Sequence, residues 1–122
     1  MDVSLARIVA SESAVSGEFA FTTVTDFEMH TMPSAMHELS PVSAVFEQPI
    51  NVTTSTDIAA IPLSANMTSA AILLQNYFAQ AGFTPLASEW WHFDDPASVQ
   101  AAANMGFNGE FVIGSFYSVA PG

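Results

Sequence analysis

Residues 70–93, AAILLQNYFAQAGFTPLASEWWHF, constrain the fold more than any other part of the chain, because they join a helical period to a glycine stop and a dense aromatic run. Ala70, Leu73, Leu74, Tyr77, Phe78 and Ala81 recur at steps of three and four, the pattern of a helix with one apolar face. Asn66, Thr68 or Ser69 supplies its cap, since a short polar side chain there accepts from a first-turn N–H that has no partner in the helix. Gly82 ends it and Phe83 folds back on the last turn, as in helices that stop on a left-handed glycine. Trp90, Trp91 and Phe93 favour a strand or its end over more helix.

The rest of the chain supplies strands around this unit. Phe19, Phe21 and Thr23 alternate with Ala20, Thr22 and Val24, so residues 18–24 read as a strand with one aromatic face. Before it, residues 3–10 read as a short helix and 11–17 as a loop; after it, Thr25-Asp26 reads as a turn and 27–29 as a returning arm. Residues 32–41 carry Pro33 and Pro41 and read as a loop with a turn of helix, with short elements over 42–46 and 57–61. Asp95-Pro96, a cap followed by a first-turn proline, opens a helix over 97–104 that ends near Gly106. Asn108-Gly109 is a tight-turn signal ahead of a strand over 110–119. Helices mixed with hairpin-linked strands predict an α+β fold, with helices packed on a small, mostly antiparallel sheet. At 122 residues the chain fits one domain.

Charge narrows the partners. Twelve acidic residues stand against a single cation, Arg7, for a net charge of −11, which opposes binding to nucleic acid and to anionic membranes. The first residues have an acidic second position and no uninterrupted apolar run, so no signal peptide is read and a cytoplasmic location is expected, or a periplasmic or secreted one if residues precede Met1. There is no cysteine, which leaves His, Asp and Glu as the possible metal ligands.

Glu89 and His92 stand three apart, a spacing found where a histidine ligates a metal and a nearby carboxylate moves the proton of attacking water. On a regular strand the two would point to opposite faces, so a bend or bulge is needed to bring both to one site. By spacing alone, an aromatic strand with a satisfied histidine and a solvated glutamate explains the pair better.

The helix followed by AGFTPLASEWWHF resembles the C-terminal signature of the VanX-type D-alanyl-D-alanine dipeptidases, zinc peptidases related to the D,D-carboxypeptidases. MPSAMHELS, residues 32–40, is similar to the stretch that family carries between its two metal motifs. The resemblance covers about residues 25–93 and implies the D,D-peptidase (hedgehog-like) fold, one zinc ion, Glu89 as general base, His92 as a zinc ligand, and a D-Ala-D-Ala or related cell-wall peptide as substrate. In that family the other two ligands come from an upstream Ser-x-His-x-x-Gly-x-Ala-x-Asp motif, which this sequence lacks. His30 and His37 have the motif's seven-residue separation, with Ala35 at its alanine, so a His30, His37, His92 set is one way to complete the shell. Arg7, the single cation, and Trp91 are the candidate substrate-binding residues. The alternative is a catalytically inactive, peptidase-like binding domain whose metal site is incomplete.

Overall fold

The computed structural model describes residues 1–55 and 58–105. The turn expected at Asn108-Gly109 and the strand over 110–119 lie outside the described residues. The described residues are α+β: two two-stranded antiparallel sheets and two helices, in the order β1 (Ala6–Ser16), β2 (Phe19–Met29), α1 (Ser69–Gln80), β3 (Thr84–Pro85), β4 (Phe93–Asp94) and α2 (Pro96–Asn104). Short 3-10 turns at Pro41–Ser43 and Ile58–Ala60 interrupt the long connection before α1. Among the described residues no helix is long and apolar enough to cross a membrane.

The N-terminal third departs most from the sequence expectation. Residues 6–16 form a strand rather than a short helix and a loop, because they pair antiparallel with β2 along nearly their whole length and bond its backbone through their inward-facing N–H and C=O groups. The reversal falls at Gly17-Glu18, between paired Ser16 and Phe19, and not at Thr25-Asp26. Gly17 has φ 63, the left-handed conformation that the first position of this kind of two-residue hairpin loop requires and that glycine adopts without a Cβ clash. Two register shifts, between Ile8 and Ala10 and between Ala10 and Ser11, absorb residues at the old turn position, so β2 runs unbroken through Asp26. The aromatic face exists, with Phe19 opposite Ser16 and Phe21 opposite Ala14, but it is open to solvent along its length.

The core lies in the C-terminal two thirds, where Val45, Phe46, Val52, Met67, Ala71, Leu74, Trp90, Trp91 and Phe93 are buried. Thr68 caps α1 by accepting from the Ala71 N–H at 3.2 Å. The buried stripe of α1 is Ala71, Leu74 and Gln75, with Phe78 half-buried. This is rotated from the expected stripe, and Leu73 and Tyr77 face solvent. Gln75 occupies the inward position because its amide has a partner there, as described below. The stop is as expected: Gly82 has φ 90, the Phe83 N–H bonds the Phe78 carbonyl at 2.9 Å, and the Phe83 ring meets Phe78 edge-on at 5.5 Å. Phe78 in turn stacks on Phe93 at 4.1 Å, which joins the helix to β4.

Asp95 caps α2, accepting from the Ala97 N–H at 3.1 Å and the Ser98 hydroxyl at 2.6 Å. The Ser98 hydroxyl and then the Ala97 N–H hold its carboxyl below the ordinary value of 3.8. A carboxyl depressed in the folded state stabilises above its unfolded pKa and loses that contribution as pH falls through the folded value. The Ala97 amide resonance is therefore expected to titrate with a midpoint below 3.8 as the first turn of α2 frays. In Asp95→Asn, which keeps the cap without the charge, this titration should vanish; a midpoint at or above the ordinary value would contradict the cap.

Candidate functional site

The Glu89–His92 stretch is a turn pinned from several sides. The Glu89 N–H bonds the Leu86 carbonyl at 3.1 Å and the His92 N–H bonds the Glu89 carbonyl at 3.2 Å. This supplies the bend that the three-residue spacing requires. Trp90 fixes it: its N–H bonds the Ser43 carbonyl at 3.0 Å, its carbonyl accepts from Gln75 Nε2 at 3.0 Å, and its indole N–H donates to Ser34 Oγ at 3.1 Å. With every polar group partnered, a ring only 1% exposed can be buried without penalty.

Residues 1–3 pair with this segment. The Val3 N–H bonds the Trp91 carbonyl at 2.9 Å, the Phe93 N–H bonds the Met1 carbonyl at 2.9 Å, and Asp2 stands opposite His92 in an antiparallel bridge. That register sets Asp2 Oδ1 2.8 Å from His92 Nδ1. Asp94, on β4, faces the other ring nitrogen, with Oδ1 3.1 Å from Nε2. His37 approaches the same aspartate, with Nε2 3.0 Å from Asp2 Oδ2, and packs edge-on against Trp91 at 5.9 Å. His37 has φ 67, a left-handed backbone that is uncommon for a residue with a Cβ and is met more often at sites than elsewhere. Partial burial acts to raise the Asp2 carboxyl, but the hydrogen bonds from His92 and His37 outweigh it and hold the group below its usual range.

The residues expected from sequence are thus divided. His92 and His37 meet at Asp2. Glu89 is half-buried at the head of the turn, its carboxylate without a hydrogen bond or ion pair among the described residues. His30 is exposed on the hairpin end; its backbone N–H bonds the Leu5 carbonyl at 3.0 Å, and its side chain takes no part in the cluster. Arg7 is held by Glu28 at 2.6 Å on the solvent-exposed hairpin. Trp91 is 1% exposed and acts as a wall behind His37 rather than as an open surface. Asp2 and Asp94 were not among the expected residues. Nothing local marks Asp2, whose partner is 90 positions away.

Whether zinc suits this arrangement turns on His92. A histidine that ligates through one nitrogen usually donates the other N–H to a carboxylate, which fixes the tautomer. Asp94 on Nε2 has that place, and Asp2 and Nδ1 then form a carboxylate and imidazole pair of the kind zinc takes. Tetrahedral zinc at about 2.0–2.1 Å holds its ligand atoms roughly 3.3 Å apart, so the 2.8 Å contact would open slightly to admit it. Without metal, a doubly protonated ring would donate to both carboxylates. Asp2 and His92 therefore fit two positions of a shell, but among the described residues no group of three or more His, Asp and Glu side chains is arranged to hold a metal ion.

Comparison with family models finds no match, and comparison with curated proteins and with solved structures finds none either.

Proposed function

We propose that the Glu89–His92 turn and Asp2 form part of a zinc peptidase site of the D-alanyl-D-alanine dipeptidase kind, and that the α+β core is a piece of the corresponding D,D-peptidase fold. The contact between Asp2 Oδ1 and His92 Nδ1 at 2.8 Å carries this reading. The resembled family sets an upstream aspartate beside the histidine of its EWWH string, and here an aspartate reaches that histidine from the far end of the chain. Zinc, when bound, supplies a Lewis acid that polarises a scissile carbonyl and acidifies water. Asp2 and His92 would hold the ion, Asp94 would orient the His92 ring, and Glu89 would take the proton of attacking water and pass it to the leaving amine.

A cavity of about 540 Å³ begins at Ser88 and Asp94, which neighbour Glu89 and His92, and runs over Phe46, Ile50, Val52 and Leu86. That volume suits a dipeptide with small side chains. The described lining carries Glu47 and Asp94 and no cation, so it favours the amino end of such a ligand over its carboxylate. Arg7, engaged by Glu28, is not assigned to the substrate.

A second reading, a peptide-binding domain without catalysis, is favoured by one observation: no third ligand converges on Asp2 and His92 among the described residues. Calorimetric titration of the whole chain with zinc chloride tests the first. One ion per chain is expected, with affinity at least tenfold weaker in Asp2→Asn and no saturable binding in His92→Ala. Absence of stoichiometric binding, or unchanged binding in His92→Ala, ends the zinc reading; binding without release of D-alanine from D-Ala-D-Ala selects the second.

A further inference from the structure

Three of the chain's six methionines fall within residues 29–36, Met-His-Thr-Met-Pro-Ser-Ala-Met. Met32 packs against the core, whereas Met29 is 58% and Met36 37% exposed. Methionine ordinarily fills gaps in a core, and left in water it forgoes the gain of burial. Packing therefore does not account for Met29 and Met36.

With His30, the three methionines line one open hollow of about 250 Å³ between the foot of the hairpin and the loop that follows it. The backbone that carries them is held along its length. The His30 N–H bonds the Leu5 carbonyl at 3.0 Å, the Thr31 carbonyl accepts from the Thr68 hydroxyl at 2.9 Å, and the Ser34 hydroxyl accepts from the Trp90 indole at 3.1 Å. Long, unbranched side chains thus stand on fixed backbone positions around one space, and their rotatable bonds let the sulfurs turn to a common point within it.

The donor set decides what that point takes. The described lining carries no carboxylate, so calcium and magnesium, which require oxygen ligands, are poorly matched. Zinc takes imidazole, carboxylate or thiolate, and here only the single imidazole would serve. Thioethers select copper(I), which imidazole also suits. Four neutral donors leave the ion its charge, and a chain with a net charge of −11 attracts a monovalent cation. We infer that Met29, Met32 and Met36, with the imidazole of His30, bind one copper(I) ion. His37 is engaged elsewhere, with Nε2 3.0 Å from Asp2 Oδ2. The site shares no residue with the Asp2–His92 pair, so it stands or falls separately from the zinc reading.

Silver nitrate in chloride-free buffer supplies a soft monovalent ion without redox chemistry, and copper(I) kept reduced under argon is measured by competition with a colorimetric chelator. One ion of either metal per whole chain is expected. With isotope-labelled methionine methyl groups, the resonances of Met29, Met32 and Met36 should shift together and saturate at one equivalent of silver, while those of Met1, Met67 and Met105 stay in place. Zinc chloride should leave all three unmoved. Leucine keeps the volume of methionine and removes the sulfur, so Met29→Leu is expected to weaken silver binding at least tenfold, His30→Ala to do the same, and the triple leucine variant to abolish saturable binding. If the triple variant does not fold, Met29→Leu, at an exposed position, decides alone. No saturable silver binding, shifts spread over all six methyl groups, shifts produced equally by zinc, or unchanged affinity in Met29→Leu overturns the proposal.

Discussion

Trp90→Ala is expected to abolish the cooperative unfolding transition of the chain. Truncating a buried Trp to Ala costs about 3–5 kcal/mol, and natural domains hold only about 5–15 kcal/mol in total. Here the loss falls at the upper end of the first range for a structural reason. The ring is 1% exposed and meets Trp91 edge-on at 5.3 Å, while its indole N–H anchors Ser34 from 56 positions away. Removing it opens a cavity and also frees the 34–40 loop, which carries His37. The turn's backbone bonds to Ser43 and Gln75 would then close an unfilled space. Trp90→Phe, which keeps most of the ring but not the Ser34 bond, should retain a cooperative transition at lower denaturant. Urea unfolding followed by the remaining fluorescence of Trp91 checks both; an alanine variant that unfolds cooperatively within about 1 kcal/mol of the parent would mean that Trp90 is not the centre of this core.

What the sequence revealed and what it hid divide along the range of the interactions. The helices were legible because their signals are local: Thr68 and Asp95 accept from N–H groups three and two positions on, and Gly82 with Phe83 closes α1 within one turn. The stripe of α1 was misplaced because Gln75 reads as polar. Its inward position is set by the Trp90 carbonyl, a partner 15 positions away that no periodicity shows. The first strand was missed for the same reason, since residues 6–16 have no strong period of their own and take their conformation from pairing with β2. Even the hairpin's turn had a local sign, the glycine at position 17, which the more familiar Thr-Asp pair outweighed.

The site follows the same rule. Glu89 and His92 were candidates on spacing and surroundings. Asp2 was not, because it enters only when residues 1–3 pair with residues 91–93. His37 joins through Asp2, whereas His30, which has the same residue type and suitable spacing, is carried away on the hairpin.

Glu89→Gln is the substitution expected to separate binding from chemistry most widely. Glutamine keeps the shape and half-burial of the side chain but cannot take a proton. The carboxylate makes no hydrogen bond or ion pair among the described residues, so its loss should leave the fold and the Asp2–His92 contact undisturbed. If the proposed site is right, zinc affinity stays within about threefold, because Glu89 is not one of the two proposed ligands, while removal of a positioned general base lowers turnover by about 10²–10⁴. The two readouts, calorimetry for zinc and release of D-alanine from D-Ala-D-Ala in the zinc-loaded chain, have to diverge for the assignment to hold. Release that persists in Glu89→Gln gives the proton to another base, and with His92 occupied on both nitrogens by Asp2 and Asp94, the solvent-facing side of His37 would be next in line. Zinc affinity falling together with turnover would instead place Glu89 in the metal shell, supplying the third ligand that the described residues do not bring to Asp2 and His92.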